Sequence, residues 1–200
     1  MNLLLVTNDF PPRSGGIQQY CHNLVRRLPP DRVVVYAPAW PGAGDFDAAQ
    51  PFRVVRHPGR TLLPTPDVLR RTVALTREVR PDLVCFGAAF PLGLLAGRLT
   101  RATGVPCVGF THGVEVAVGR VPLVRRLMAR VAGDLRLVTA VSHWSAARVR
   151  RAVRGRCGPG CWSWPGPCRC RWATCSWPTR AAAAPESTPT SPGWAGPAGW

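Results

Sequence analysis

The sequence predicts an α/β fold over residues 1–154, built as a doubly wound parallel sheet, with a disordered tail over residues 155–200. Three observations carry that expectation. Short apolar runs alternate with segments of helical period along the first 154 residues. The runs are continuous rather than alternating, which marks strands buried on both faces of a parallel sheet. After Val153 no Leu, Val, Ile, Phe or Met occurs, and a segment without them cannot build a close-packed core.

Taken in order, residues 2–7 form the first strand, a Pro- and Gly-rich loop covers residues 8–16, and a helical pattern runs over 17–28. Residues 32–37, centred on Val33-Val34-Val35-Tyr36, read as the second strand, and residues 52–56 as a shorter third. Thr65-Pro66-Asp67 is a helix start, with a capping hydroxyl, proline at the first helical position and an acid in the first turn. Val68, Thr72, Leu75 and Val79 then share one face. A strand over 83–86, a helix over 91–101 and a strand over 106–110 follow. Residues 120–132 are expected as a basic amphipathic helix, 135–141 as the last strand, and Ser142 as the cap of a helix through Val153. This alternation implies a Rossmann-like sheet with ligands outside the carboxyl ends of its strands.

The 46% hydrophobic content of the 200 residues excludes a wholly disordered chain. The formal charge is +16, and all 26 basic residues are Arg, with no Lys, one Ile and three Asn. GC-rich codons produce that bias, so the charge is weak evidence for a nucleic-acid partner, and no specific nucleic acid is expected. The opening apolar run stops at Thr7 and lacks a basic flank, unlike a secretory signal. The longest uncharged stretch, residues 83–97, falls short of the ~20 apolar residues that span a bilayer. These features imply a cytoplasmic chain.

The tail holds five of the eight Cys, six of the eight Trp and eight of the 22 Pro, so its composition needs its own explanation. A metal site is disfavoured because the tail has neither a CxxC pair nor a His. A disulfide framework conflicts with a cytosolic chain. Translation out of frame fits best, since shifted GC-rich DNA yields Arg, Pro, Ala, Gly, Cys and Trp.

Two loops carry candidate chemistry. Gly15-Gly16 directly precedes the first helix, whose amides point outward with partial positive charge, as a phosphate site requires. The loop is neither GxGxxG nor GxxxxGK[ST], and an ordinary turn accounts for it equally well. Thr111-His112-Gly113 follows the strand over 106–110, where this architecture places its sites, and His112 is an able hydrogen-bonding group. A structural role for His112 stays open beside a catalytic one. The helix over 120–132 sets Val121, Val124, Leu127, Met128 and Val131 against Arg125, Arg126 and Arg130, with no acid. A solvated basic face is the plain reading, and attraction to anionic lipid the functional one. No metal-ligand cluster, serine elbow or carboxylate pair stands at useful spacing.

The stretch from Leu4 to Tyr20, with Asn8-Asp-Phe-Pro-Pro-Arg-Ser-Gly-Gly-Ile-Gln-Gln at its centre, resembles the opening of family 4 glycosyltransferases of the GT-B fold. Leu63-Pro-Thr-Pro66, Phe86-Gly-Ala-Ala-Phe-Pro-Leu92 and Thr111-His-Gly-Val-Glu115 recur in the family's order. Together they are most similar to the actinobacterial GDP-mannose-dependent phosphatidylinositol mannosyltransferases that add an α-1,6-linked mannose. The resemblance covers residues 1 to about 153 and makes this segment the N-terminal, acceptor-side half of a GT-B fold. It implies that Gly16 meets the donor diphosphate, that Gln18 contacts the inositol phosphate headgroup of the acceptor, and that His112 touches the transferred sugar and is needed for catalysis. Asn8 and Asp9 would line the acceptor side. The partners implied are a nucleotide sugar, GDP-mannose, and a phosphoinositide glycolipid, with no bound cofactor and peripheral contact with the inner face of the plasma membrane.

The family's linker and second domain, which hold most of the nucleotide sugar, have no counterpart in residues 155–200. The resemblance therefore implies little or no transferase activity for this chain alone. Two alternatives stand beside it: a non-catalytic fragment whose basic faces bind anionic lipid or nucleic acid non-specifically, and a family 4 enzyme using another sugar nucleotide and acceptor.

Overall fold

The computed structural model describes residues 1–113, 121–153 and 171–174. Seven parallel strands form one sheet: β1 (Leu3–Val6), β2 (Val33–Pro38), β3 (Arg53–His57), β4 (Leu83–Phe86), β5 (Cys107–Thr111), β6 (Leu137–Ala140) and β7 (Arg171–Thr174). Their order is β3-β2-β1-β4-β5-β6-β7. The first six follow the Rossmann order, as expected. The central strand β1 pairs on one side through Leu3–Val33 and on the other through Leu3–Leu83.

Because a parallel crossover is right-handed, the chain's direction across the sheet decides the face each helix covers. From β1 to β2 to β3 it runs one way, and α1 (Gly16–Val25) and α2 (Ala43–Ala48) lie over Leu3, Leu5, Phe10, Cys21, Val25, Val33, Val35 and Phe52. From β3 it crosses to β4 and continues the other way. There α3 (Pro66–Val79), α4 (Ala96–Thr103) and α5 (Pro122–Asp134) cover Leu4, Val6, Val84, Phe86, Leu99, Val131 and Val138. Successive residues of β1 thus serve opposite cores, which is why its sequence is apolar throughout. The last described helix, α6 (His143–Val153), packs on α5 and β6.

The start of α3 matches the expectation drawn from Thr65-Pro66-Asp67. Thr65 Oγ1 accepts from Val68 N at 3.3 Å, and Asp67 accepts from Arg70 and Arg71 at 2.7 and 2.9 Å. Thr72 and Thr76, both buried on its inner face, return their hydroxyls to the carbonyls four residues earlier, each at 2.7 Å. Ser142 caps α6 as expected, its Oγ accepting from Ser145 N at 3.1 Å.

Other boundaries differ from the sequence reading. The first helix ends at Val25 rather than 28, closing in tight turns before Pro29-Pro30, which cannot continue it. The helix expected over 91–101 opens as a 3-10 turn, Leu92–Leu95, and becomes α-helical from Ala96. The six-residue α2 was not anticipated, because it is too short to show a period. The fifth helix runs past 132 to Asp134, so the expectation of a helix without acid is corrected: Arg130 Nε lies 3.9 Å from the Asp134 carboxylate. Val121, expected on the buried side, precedes the helix and is 52% exposed. Within the tail, Arg171–Thr174 adds β7 to the open edge of β6. Strand pairing uses backbone groups alone, so it needs none of the aliphatics on which the sequence reading relied.

Replacing Thr65 with alanine removes the cap of α3 without disturbing its buried face. The expected outcome is a loss of about 1 kcal/mol in urea-induced unfolding, with native far-ultraviolet dichroism retained.

Candidate functional site

At the junction of β1 and β4 the two connections leave for opposite faces and open a crevice at the carboxyl edge of the sheet, the place where doubly wound folds bind ligands. The loop after β1 forms one wall. Thr7 is fully buried, and its hydroxyl receives the Asp9 amide at 2.9 Å. Asp9 Oδ1 in turn accepts from Gln18 Nε2 at 2.8 Å, and Gln18 is buried on the first turn of α1. Two of the expected acceptor-side residues are therefore joined to each other.

Asn8 has a different use. Its Nδ2 donates to Leu62 O at 2.9 Å and its Oδ1 accepts from Leu62 N at 2.6 Å. The carboxamide is spent on pinning the loop between β3 and α3 beside the crevice, so the structure gives Asn8 a bracing role in addition to its expected place in the lining.

The two glycines differ in kind. Gly15 has φ 156° and ψ 162°, a conformation open essentially to glycine alone, and a Cβ there would strike the Gln18 carboxamide. Gly16 is the first residue of α1, and a Cβ on it would meet nothing within 4 Å. The N-cap of α1 is Gly15, which has no side chain to cap the helix, and no acid stands in its first turn. The positive end of the helix thus faces open space.

His112 closes the opposite wall. Its Nε2 donates to Gly87 O at 2.7 Å, since a carbonyl can only accept. Its ring meets Tyr20 edge-on, 5.3 Å between centroids at 77°. Tyr20 sits on α1 one turn after Gly16, so His112 and the helix N-terminus lie on the same edge of the sheet. Gly113 follows at φ 95°, which turns the chain sharply away from β5. Arg125, Arg126 and Arg130 are not brought to this crevice; they lie exposed on α5.

Sequence reasoning missed Arg56. Its guanidinium is largely buried and makes four hydrogen bonds: Nε and Nη2 to Asp47 at 2.9 and 2.7 Å, Nη1 to Pro38 O at 3.0 Å, and Nη2 to Pro11 O at 2.7 Å. It lies 5.8 Å from the Phe10 ring centroid as well. One side chain of β3 therefore fastens the loops after β1 and β2. An Arg in a GC-biased chain carries no signal of such a role.

Farther along the same edge, Tyr36 OH and His57 Nδ1 are 2.9 Å apart in a buried pair. Burial, reinforced by the Arg71 charge and opposed by Asp67, holds His57 below its ordinary 6.5. Burial also raises Tyr36 above its usual value. The thiols of Cys21 and Cys85 are pushed up to about 12 by burial, which makes them inert core groups. Among the described residues no group of three or more His, Cys, Asp or Glu stands close enough to hold a metal ion. Likewise, no described helix is long and apolar enough to cross a membrane.

The Glycosyltransferase Family 4 model matches residues 14–156. The chain belongs to glycosyltransferase family 4. Over 154 residues it is 43% identical to the GDP-mannose-dependent alpha-(1-6)-phosphatidylinositol monomannoside mannosyltransferase of Mycolicibacterium smegmatis, covering 75% of this chain and 40% of that protein. The protein of the same description from Mycobacterium tuberculosis is 44% identical over 156 residues, with the same coverage. In Corynebacterium glutamicum, a GDP-mannose-dependent monoacylated alpha-(1-6)-phosphatidylinositol monomannoside mannosyltransferase is 34% identical over 151 residues, covering 74% and 40%. The match thus spans 40% of the length of these relatives. The crystal structure of Anabaena Alr3699/HepE in complex with UDP shares the fold, with a TM-score of 0.60 at 16% identity over 76% of this chain and 41% of that one.

Two outcomes test this geometry. Gly15→Ala is expected to destabilise the chain by about 1–3 kcal/mol, while Gly16→Ala leaves the melting temperature equal or slightly higher, because alanine suits a helix better. His57 gives a pH signature. The unfolded chain protonates it near 6.5, whereas the folded chain resists, so its contribution is complete above that value and is lost on acidification below it. Melting temperatures measured from pH 8 to 5 are expected to fall on the acid side, and less steeply in His57→Asn.

Proposed function

We propose that residues 1–153 form the acceptor-side lobe of a retaining glycosyltransferase that moves mannose from GDP-mannose to a phosphatidylinositol mannoside. The observation that carries this reading is the exposed N-terminus of α1 at Gly16, with His112 packed on Tyr20 one turn farther along the same helix. The activities for which the relatives are named, together with the family motifs, support these substrates.

In this mechanism the backbone amides at Gly16 bind the donor diphosphate as charge builds on the leaving group, the step where fixed dipoles are worth most. Gln18, held by Asp9, presents its remaining polar capacity to the inositol phosphate headgroup. His112 contacts the sugar being transferred. The lobe's contribution is position and charge stabilisation rather than proton transfer, and no resident cofactor takes part.

A membrane surface fits the same reading. Arg125 and Arg126 are exposed on α5 beside Leu123, which is 65% exposed, and Trp144, 58% exposed, lies on the adjoining helix α6. Exposed cations and exposed apolar and indole groups on these two helices support contact with the inner, anionic leaflet of the plasma membrane, on its cytoplasmic side. The same surface is what favours a non-catalytic, lipid-binding role as the second reading.

Binding of myo-inositol 1-phosphate, followed by amide chemical shifts, tests the first reading. Residues 15–18 are expected to shift, and Gly16→Ala to abolish the response to GDP; unchanged shifts in 15–18 with saturating ligand overturn it. Transfer of radiolabel from GDP-mannose by this chain alone is expected to be negligible. For the membrane contact, Arg125→Glu with Arg126→Glu is expected to weaken binding to anionic vesicles at least tenfold, at about 1 kcal/mol for each cation removed. Vesicle sedimentation checks it, with neutral vesicles as the reference.

A further inference from the structure

We propose that Tyr20 is a positioning residue for His112: it holds the imidazole plane so that Nε2–H stays on the Gly87 carbonyl and Nδ1 remains the acceptor atom. The inference rests on the reading that His112 meets the sugar, and it specifies which ring atom is available to do so.

The argument begins with Gly87. Its N–H donates to Val6 O at 2.9 Å, which ties it to the central strand. The space where a side chain would stand is filled by the Thr7 hydroxyl and the Cys21 thiol. A carbonyl fixed in this way is a rigid acceptor. At 2.7 Å, His112 Nε2 must carry the proton, so the neutral ring has its lone pair on Nδ1.

One hydrogen bond sets one atom of the ring and leaves rotation about it open. The second constraint is Tyr20, whose ring stands at 77° to the imidazole with 5.3 Å between centroids. Tyr20 does not float: Phe110, the penultimate residue of β5, meets it edge-on at 5.8 Å and 76°. The chain of contacts runs from Phe110 to Tyr20 to His112 to Gly87, and so from β5 through α1 back to the end of β4. Since Tyr20 and Gly16 share α1 one turn apart, the same helix that offers the diphosphate site sets the imidazole. The two ligand-facing groups are thereby kept in register.

Long-range proton–nitrogen correlation spectra of the full chain, labelled at its four histidines, test this in mildly alkaline solution. His112→Gln assigns the signal. The unaltered chain is expected to show His112 as the Nε2–H tautomer, with a proton that exchanges slowly with water. Tyr20→Phe is expected to keep both features. Tyr20→Leu is expected to speed that exchange at least tenfold while the amides of Leu5 and Cys85 keep their protection, a split that general loosening of the fold does not produce. Should Tyr20→Leu fail to fold, Phe110→Leu, which removes only the ring behind Tyr20, is expected to give a several-fold acceleration. An Nδ1–H tautomer in the unaltered chain, or unchanged exchange in whichever of these leucine variants folds, overturns the proposal. Binding of GDP and myo-inositol 1-phosphate by the same samples is read separately. A correct His112 signature without ligand binding sinks the proposed function and leaves the positioning role standing.

Discussion

Right-handed crossovers govern this molecule because β1 lies between β2 and β4. The chain leaves β1 toward one face and leaves β4 toward the other, so neither of these two connections covers the gap between the strands' carboxyl ends. The candidate site residues collect there for that reason. The helix after β1 begins beside the gap, and the turn after β4 puts Gly87 at its floor, where any side chain would collide with Thr7 and Cys21. His112 arrives from β5, the next strand over, and reaches Gly87 with a 2.7 Å hydrogen bond.

A crevice made of loops needs bracing, since loops lack the ladder hydrogen bonds that stiffen the sheet. Two side chains supply it from opposite sides. Asn8 reaches outward from the β1 loop to both backbone groups of Leu62, and Arg56 reaches inward from β3 to Pro11 and Pro38. A guanidinium has five donors in a fixed fork, which is why one Arg can join an acid and two carbonyls where a lysine could not. The Asp47 carboxylate makes its burial tolerable, because an unpaired cation at that depth would face the full cost of desolvation.

The strands and their order were legible because a doubly buried strand has a strong signature: Val33-Val34-Val35-Tyr36 allows few other readings. The start of α3 was equally clear, since Thr65-Pro66-Asp67 encodes cap, dihedral and dipole at once. The ends of helices were not, because Leu28 and Ala132 look the same to a periodicity whether the last turn closes or continues. The six residues of α2 are shorter than two helical turns and leave no period to detect. As for β7, its pairing depends on the open edge of β6, a property of the assembled sheet that residues 171–174 do not express. At the candidate site, Gly15 and Gly16 stood out directly before the first helix and His112 directly after a strand. Arg56 and Tyr20 were not, because their importance lies in the atoms they touch across the fold.

The high charge of the chain separates into two kinds of electrostatics. Exposed pairs such as Arg53 with Glu78, and Arg70 and Arg71 with Asp67, are open to solvent and add little to stability. At Gly16 the favourable field for an anion is that of the backbone amides at the start of α1. Peptide dipoles neither titrate nor lose their orientation while the helix is folded. On the proposed reading, anion binding there depends on helix α1 and its register, while the proposed attraction of α5 for a lipid surface depends on guanidinium charge and weakens as salt screens it. The proposed reading thus separates diphosphate binding, given to backbone amides, from surface attachment, given to arginine side chains. An arginine-rich surface that drifts with codon usage can change the second without disturbing the first.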